Sequence, residues 1–438
     1  MRLRPRTTAA VLTALTGLVT GVLPASPAAA VVTPGNLTGY GFDQCTAPSQ
    51  RAMNAWLSSS PYWAVGIYIS GDSRGCRSQP NLSRTWVRRQ TSHGWRLLPI
   101  TLGPQAWCTT RERYLHQVRI SPRTAGGYAR ARAQGRAEAN RTIGAARRLG
   151  ISPRSTLWYD LEGFDTRPTA CRESALGFLS AWSTQLHRHR YVSGVYSSAA
   201  SGIAMLDDAR VRRPGRYRMP DRVWIGDWNG RADTSSSYVR SSGWTPHRRV
   251  HQYRGARNER YGRVTINVDR NWVDLGHGSR APRQPAHCGG AARYDYGRYA
   301  GRSVGSRGAL VRTVQCLLKA RHRYSAAVDG VYDAGLGAAV RSYRVGRGLS
   351  SGTSTTASTW VALLSQGDTP RLKRGSASSA VRRVQRALNA ADAARLRVSG
   401  VFDARTTVAV RRYQGAHRLS RTGVVAVATW RRLLAGTP

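Results

Sequence analysis

The last third of the chain repeats one pattern at a constant offset of 70 residues. The matched positions are Gly305 and Gly375, Val314-Gln315 and Val384-Gln385, Leu318 and Leu388, Gly330-Val331 and Gly400-Val401, Asp333 and Asp403, Tyr343 and Tyr413, Leu349 and Leu419, Trp360 and Trp430, and Leu363-Leu364 and Leu433-Leu434. Within each copy, apolar residues at helical spacing are followed by a glycine-centred turn, a second helix and a short third helix that carries the Trp. The sequence therefore predicts two small helical modules, 286–364 and 372–436, with the matched apolar residues in their cores.

The region before the repeats reads as one large domain. Residues 276–285, which are rich in Gly and Pro, read as a linker, and 365–371 as a shorter one. Eight short apolar or β-branched runs lie between 36 and 275, at 38–43, 64–70, 96–102, 156–162, 191–197, 222–227, 248–253 and 264–269. Helical patterns fill several gaps, notably 126–149 and 173–189. This alternation over 36–275 predicts a (β/α)8 barrel of the TIM type.

Acidic side chains fall at the ends of these predicted strands. They are Asp43, Asp160, Glu162, Asp227 and Asp269. In a barrel, the carboxyl ends of the strands form the face where active sites lie. Asp160 and Glu162 are two apart on one strand, so they point the same way and share a pocket. Two carboxyls at such a short distance have different pKa values, so that one is protonated while the other is charged. This combination suits cleavage of a glycosidic bond. The alternative is that they only form ion pairs with arginines.

The first residues have the pattern of a secretory leader. Arg2, Arg4 and Arg6 precede an apolar stretch, and Ala28-Ala29-Ala30 offers small residues for cleavage. We therefore expect a signal peptide at 1–30 and a secreted protein, extracellular or associated with the cell wall. No later stretch is long and apolar enough to predict a transmembrane segment.

The six cysteines read as disulfides, because their number is even and the chain is predicted to be exported. Adjacency of the predicted strands pairs Cys45 with Cys76 and Cys108 with Cys171, on neighbouring loops, and leaves Cys288 with Cys316. Neither a CxxC pair nor an HExxH motif occurs in the sequence. We therefore predict neither a metal site nor a cofactor.

The chain has 68 Lys and Arg against 22 Asp and Glu, a formal net charge of +46, which favours polyanionic partners. Only Lys319 and Lys373 are lysines. The arginines are spread over every segment, and no nucleic-acid motif accompanies them. For a secreted chain this predicts peptidoglycan, a related cell-wall glycan or another anionic wall polymer as the partner, and no specific nucleic acid.

The repeats carry a family resemblance in their turns and helices. The second copy contains Val401-Phe402 at its turn, Thr406, and Tyr413-Gln414 in its second helix. It resembles the helical peptidoglycan-binding domain often appended to wall hydrolases. The first copy keeps the turn 328–332 but has Leu336 and Arg344 where that family favours Thr and Gln. The resemblance implies that the modules bind peptidoglycan, with Tyr332 and Phe402 at an exposed turn.

The strand motifs of the large domain also carry a resemblance. They are Gly41-Phe42-Asp43, Tyr159-Asp160-Leu161-Glu162, Gly194-Val195-Tyr196-Ser197, Trp224-Ile225-Gly226-Asp227-Trp228, His251-Gln252-Tyr253 and Val268-Asp269. They look like the successive strand motifs of glycoside hydrolase family 25 muramidases. The start, 41–49, is similar to a glycoside-hydrolase-like domain of unknown function found in secreted proteins of high-GC Gram-positive bacteria.

This resemblance implies roles for the residues in these motifs. Glu162 would be the general acid and Asp160 its charged partner, with Asp43 and Asp269 as flanking carboxylates. The residues assigned to substrate binding are Tyr196, Asp227, Trp228, Gln252 and Tyr253. The leading hypothesis is a wall glycoside hydrolase held on its substrate by the two modules. The alternatives are a wall-binding protein without turnover and an extracellular nucleic-acid binder driven by charge.

Overall fold

The structure is a computed structural model that describes residues 32–276 and 284–438. The predicted signal peptide, and 277–283 of the predicted linker, lie outside the described residues. Among the helices that are described, none is both long enough and apolar enough to cross a membrane.

Eight strands close into a barrel in sequence order, as predicted. They are β1 (Thr38–Asp43), β2 (Tyr62–Ser70), β3 (Arg96–Thr101), β4 (Thr156–Asp160), β5 (Val192–Ser198), β6 (Arg222–Gly226), β7 (Arg249–Tyr261) and β8 (Val264–Asp274). The helices of this domain are α1 (Gln50–Ser59), α2 (Arg84–Ser92), α3 (Glu112–Leu115), α4 (Ala125–Arg148), α5 (Thr169–Arg188) and α6 (Ala204–Arg212).

The last strand differs from the (β/α)8 pattern, in which all strands are parallel. Strand β8 runs antiparallel to both of its neighbours, β7 and β1. Only Gly262 and Arg263 join β7 to β8, and both have positive φ, of 55° and 65°. That is a two-residue hairpin turn, whereas a parallel crossover needs about a dozen residues or more. The short connection therefore fixes the direction of β8.

The barrel interior is filled by large side chains beneath the carboxyl ends of the strands. Trp158 and Trp224 are fully buried there and meet edge to face, with ring centroids 5.5 Å apart. Gly194 gives Trp158 its space, because a Cβ at that position would lie 2.4 Å from the indole ring. These rings form a rigid floor for anything bound above them.

Three disulfides fasten the described residues. They join Cys45 to Cys76, Cys108 to Cys171 and Cys288 to Cys316, which is the pairing that strand adjacency predicts. The first two join segments that follow strands β1 to β4, with Cys171 in the first turn of α5, at the same end of the barrel as the acidic residues. They restrict the loops that surround those residues.

The two repeats have the same fold, as the sequence predicts. Their helices are α7 (Ala309–Lys319), α8 (Ala334–Gly346) and α9 (Ala357–Ser365), then α10 (Ser379–Asp392), α11 (Ala404–Ala416) and α12 (Val427–Leu434). Trp360 and Trp430 are buried core residues in equivalent positions. Each indole N–H donates to a backbone carbonyl before its repeat's first helix, that of Ala300 at 3.0 Å and of Pro370 at 2.7 Å.

Two expectations for the repeats are corrected by the structure. Tyr332 and Phe402 do not lie at an exposed turn, because both are buried. The segment 365–371 does not separate two independent modules, since Ser365 is the buried last residue of α9 and both repeats share one hydrophobic core. Helix α9 of the first repeat packs against α10 and α12 of the second.

Candidate active site

Four carboxylates meet at the carboxyl end of the barrel. Asp43 is the last residue of β1, Asp160 is the last residue of β4, and Glu162 follows two residues later. Asp269 lies in the middle of β8 but reaches the same end, because the antiparallel register places it opposite Asp43. Asp43, Glu162 and Asp269 line a cavity of about 180 Å³. Asp43 fits closely against Gly66. A Cβ added to Gly66 would lie 2.4 Å from the Cβ of Asp43.

Amide side chains hold two of the carboxylates in place. Asn271 donates to Oδ1 of Asp43 at 2.7 Å and accepts from the indole N–H of Trp224 at 2.7 Å. Gln252 donates to Asp43 at 3.3 Å and to Asp269 at 3.4 Å. The Gln252 carbonyl oxygen in turn accepts from the side chains of Tyr196, at 3.0 Å, and Trp228, at 2.9 Å. One glutamine therefore connects two acids to two aromatic residues.

Asp160 is the most isolated of the four acids. It is buried, and Oδ2 accepts one hydrogen bond from the Tyr68 hydroxyl at 3.3 Å. Its Oδ1 has no hydrogen-bond partner among the described residues. Burial, together with the negative charges of Glu162 and Asp43, raises the pKa of Asp160 well above its usual range. The site therefore disfavours the ionised form of Asp160.

Glu162 lies nearer the solvent and next to a positive charge. Its side chain is 20% exposed, and Oε2 lies 3.2 Å from Nη2 of Arg111. Burial raises the pKa of Glu162, while Arg111 and Arg113 act in the opposite direction. The countercharge of the cluster therefore lies beside Glu162 and stabilises its ionised form more than that of Asp160.

Asp43 combines complete burial with a negative neighbour. Burial and Asp269 raise the pKa of Asp43 to about 8, against the hydrogen bonds from Asn271 and Gln252, which lower it. Asp43 therefore keeps its proton near neutral pH, close to Glu162, whose ionised form Arg111 stabilises. A protonated carboxyl near an ionisable one is the arrangement that glycoside hydrolases use for acid catalysis at an acetal carbon.

Two protein families match this chain, one over the barrel and one over the second repeat. The family described as "Rv2525c-like, glycoside hydrolase-like domain" matches residues 54–273, which span most of the barrel. The chain belongs to this family. The family described as "Putative peptidoglycan binding domain" matches residues 377–433, within the second repeat. The protein thus joins a glycoside hydrolase-like barrel to a peptidoglycan-binding domain.

Several solved structures are similar to the barrel at low identity. The Tat-secreted protein Rv2525c of Mycobacterium tuberculosis, crystallised with L-tartrate, is 13% identical, with a TM-score of 0.35 over 54% of this chain and 95% of that one. The Clostridium perfringens spore cortex lytic enzyme SleM is 13% identical, with a TM-score of 0.37 over 57% and 74%. A family 25 glycosyl hydrolase from Bacillus anthracis is 13% identical, with a TM-score of 0.32 over 54% and 89%. No curated protein matches the chain.

Within the glycoside hydrolase-like barrel, three of the predicted substrate-binding residues lie at the carboxylates. Tyr196 and Gln252 belong to the hydrogen-bond network of the pocket. Trp228 is 64% exposed although its indole N–H is fixed by Gln252, so one large ring stands at the mouth of the site. Such a held, exposed ring suits stacking against a sugar.

Two predicted residues lie elsewhere. The Asp227 carboxylate accepts hydrogen bonds from Ser236, at 2.8 Å, and Asn229, at 3.3 Å, within its own loop. Tyr253 follows Gln252 on β7 and therefore points to the opposite face of the sheet, where it lines a cleft beside Tyr261 and Arg270. Neither side chain joins the four carboxylates.

Four residues of the site were not predicted from the sequence: Asn271, Tyr68, Gln105 and Arg111. Asn271 lies two positions after Asp269 on one strand, so the alternation that links Asp160 to Glu162 also indicates it. The Gln105 side chain donates to the backbone carbonyl of Asp160 at 2.9 Å and accepts from the backbone N–H of Glu162 at 2.8 Å. These bonds fix the loop that follows β3 to the end of β4. No local pattern identifies Gln105 or Arg111, because both lie on an irregular loop.

Within 32–276 and 284–438, no group of three or more His, Cys, Asp and Glu side chains has an arrangement that could hold a metal ion.

Proposed function

We propose that the protein is a secreted enzyme that cleaves the glycan of peptidoglycan by carboxylate acid catalysis. The observation that carries this proposal is the gathering of Asp43, Asp160, Glu162 and Asp269 at one end of the barrel, in an otherwise strongly basic chain. Buried acids that share a pocket destabilise a fold, and their retention at one place indicates a functional need.

In the proposed reaction, Glu162 gives its proton to the glycosidic oxygen as the bond to the leaving sugar breaks. Asp160 acts in its ionised form, after its proton is lost to solvent, and stabilises the positive charge that develops at the sugar ring, which in turn favours that ionised form. Water then adds to the anomeric carbon, and its proton returns to Glu162. Substrate entry would displace the half-exposed Arg111 from Glu162 and remove water from the pocket. Both changes raise the pKa of Glu162 and favour its protonated form. Asn271 and Gln252 keep Asp43 and Asp269 in fixed positions during this step.

Peptidoglycan is proposed as the substrate because of the domain attached to the barrel. Two repeats of one fold follow the barrel in the same chain, and the second matches a peptidoglycan-binding domain. Together they would keep the barrel at high local concentration near wall glycan. Three disulfides and the leader-like start of the sequence support export, since such bonds persist in oxidising compartments.

A second candidate function is glycan binding without turnover. It is favoured by the ion pair between Arg111 and Glu162, because a carboxylate held ionised in this way is a poor acid. In that case the same cleft and the exposed Trp228 would hold a sugar chain that is never cleaved.

Digestion of purified peptidoglycan, followed by mass spectrometry of the soluble fragments, distinguishes the two candidates. Cleavage would release fragments with a new reducing end whose identity gives the linkage. Glu112→Gln is a matched control for Glu162→Gln, because Glu112 is the exposed first residue of α3, next to Arg111. Release by wild type and Glu112→Gln but not by Glu162→Gln would support the enzyme. Binding without release by all three would support the binding protein.

A further inference from the structure

A lysine of the second repeat is buried in the barrel. Lys373 lies in the loop before α10 and is only 1% exposed. Its ammonium donates to the backbone carbonyls of Tyr62 and, at 3.4 Å, Ser60, at the start of β2. It also lies 4.2 Å from the ring centre of Trp63 and 5.2 Å from that of Trp95. Carbonyls and aromatic faces are partners for this amine, although burial lowers the pKa of Lys373 well below its usual range.

The next two residues extend this contact. The Arg374 guanidinium donates to the Tyr40 hydroxyl at 2.5 Å and lies 4.4 Å from the ring centre of Trp272. Gly375 has φ of +93°, and a Cβ there would lie 2.2 Å from the Thr38 carbonyl oxygen. We call 373–375 the docking loop. It binds the barrel end opposite the carboxylates, where β1 and β2 begin and β8 ends.

The first repeat has the same loop without the contact. The equivalent residues are Ser303, Val304 and Gly305, 70 positions earlier. Gly305 has the same φ of +93°, but a Cβ added there would meet no atom within 4 Å. The neighbouring Val304 is 56% exposed. Because the backbone is alike, the side chains and the barrel surface account for the difference.

The barrel also faces the helix surface next to the docking loop. Thr407 and Arg411 of α11 line a cleft of about 320 Å³ whose other wall is formed by Tyr40 and the β7–β8 hairpin. Arg411 remains exposed there, and Thr407 is half-buried. In the first repeat the equivalent positions are Gly337 and Arg341 of α8.

Exposed side chains surround these positions in the first repeat, although Gly337 itself is buried. A Cβ on Gly337 would lie 3.5 Å from Cγ2 of Val304 and 3.3 Å from the Cβ of Thr353. Arg341 follows Gly337 by one helical turn, is exposed, and makes no ion pair with any residue that the structure describes. We call the exposed residues Val304, Arg341 and Thr353 the open face. It offers an apolar side chain, a hydroxyl and an unpaired positive charge, which complement an anionic glycan.

We propose that the second repeat is a structural part of the barrel, fixed by the docking loop, and that the open face of the first repeat is the surface that binds the anionic wall glycan. The glycan-binding half rests on the proposed function, whereas the docking half does not. The two repeats thus do different work although their folds are the same.

The test uses the full chain in a Glu162→Gln background, so that the wall is not consumed. Two matched variants are compared: Val304→Glu on the open face, and Lys373→Ser with Arg374→Val, which gives the docking loop the residues of the first repeat. Sedimentation with purified peptidoglycan reports binding. It is measured at about 0.3 M salt, which screens the general attraction of a basic chain. The midpoint of thermal unfolding, followed by tryptophan fluorescence, reports docking.

Val304→Glu should weaken wall binding about tenfold or more, or about 1.4 kcal/mol, and leave the unfolding midpoint unchanged. The docking-loop swap should lower the midpoint by about 5 °C or more and leave wall binding unchanged. Arg341→Gln and its counterpart Arg411→Gln repeat the comparison, with a loss of binding expected only for Arg341→Gln.

Each half of the proposal has its own contrary result. An unchanged midpoint in the docking-loop swap would overturn the structural role of the second repeat. Loss of binding in the swap or in Arg411→Gln, with none in Val304→Glu, would move the glycan site to the second repeat. Failure of the parent chain to bind any wall would overturn the glycan half and the wall-directed function together, while the midpoint would still decide the docking half.

Discussion

The two ends of the barrel bury charge in opposite ways. At the carboxyl end, four acids lie close together with Arg111 as a half-exposed countercharge, and burial raises the pKa of each acid. At the amino end, the amine of Lys373 lies against two carbonyls and two indole rings, and burial lowers its pKa well below the usual range. Burial is costly at both ends, but the Lys373 amine has partners, whereas Oδ1 of Asp160 has no hydrogen-bond partner among the described residues.

This difference separates function from stability within one barrel. A site kept for chemistry retains groups whose removal would stabilise the fold, whereas a contact kept for structure loses stability when any partner is removed. Substitutions at the two ends should therefore have opposite effects on the free energy of unfolding.

The largest expected effect is on catalysis at the carboxyl end. Asp160→Asn should lower glycan cleavage about 100-fold, because it removes the charge that stabilises the oxocarbenium-like centre. The same change should raise the free energy of unfolding by about 1 kcal/mol, since it removes a poorly partnered buried acid. Asp227→Asn is the matched control, with little effect on either quantity. Kinetic assays and urea denaturation measure both, and a destabilised Asp160→Asn would remove the contrast between the ends.

The next effect is on stability at the amino end. Gly375→Ala should cost about 3 kcal/mol, because its Cβ would collide with the Thr38 carbonyl and its φ is positive. Gly305→Ala has the same φ but open space, and should cost only about 1 kcal/mol. Denaturant unfolding of the pair isolates the docking contact from backbone strain. Equal costs would show that the second repeat is not held against the barrel.

A smaller effect is the pH dependence of stability. The pKa of Asp43 is near the usual 3.8 in the unfolded chain and about 8 in the folded protein, so the native state retains a proton that the unfolded chain loses. The free energy of unfolding should therefore fall as pH rises from about 4 to about 8, by at most about 1.4 kcal/mol per pH unit for this one group. Asp43→Asn should flatten the slope in denaturation curves across that range. An unchanged slope would mean that Asp43 is ionised throughout.

The smallest effect concerns Arg111. This residue favours the ionised form of Glu162, so Arg111→Gln should move the alkaline limb of the pH–activity profile to higher pH. Arg119→Gln, on the same side of the barrel but paired with the ring of Trp107, is the control. A shift to lower pH would contradict the placement of the acid at Glu162.

Much of the fold and of the site follows from short-range pattern in the sequence. The repeat predicted Trp360 and Trp430 as core residues, and strand ends predicted Asp43 and Asp160 beside Glu162. These inferences succeed because strand alternation and helical spacing are local properties of the chain.

The features that the sequence did not predict depend on the length of a strand connection and on a contact between residues far apart in the chain. The direction of β8 follows from the two-residue turn at Gly262 and Arg263, but the predicted end of the preceding strand at 253 left the gap too long for a hairpin. The contact of Lys373 with Tyr62 joins residues more than 300 positions apart. No local pattern predicts this contact. The scarcity of lysine, with only two in the sequence, is the one feature that singles out Lys373.

The central claim is that the carboxyl end of the barrel is a working glycosidase site. The most direct test counts new reducing ends released from purified peptidoglycan by equal amounts of wild type and Glu162→Gln, after both are shown to be folded and to bind the wall equally. The account predicts steady release by wild type and a rate at least about 100-fold lower for Glu162→Gln. Equal release by the two proteins, or no release by wild type from any wall preparation, would contradict it.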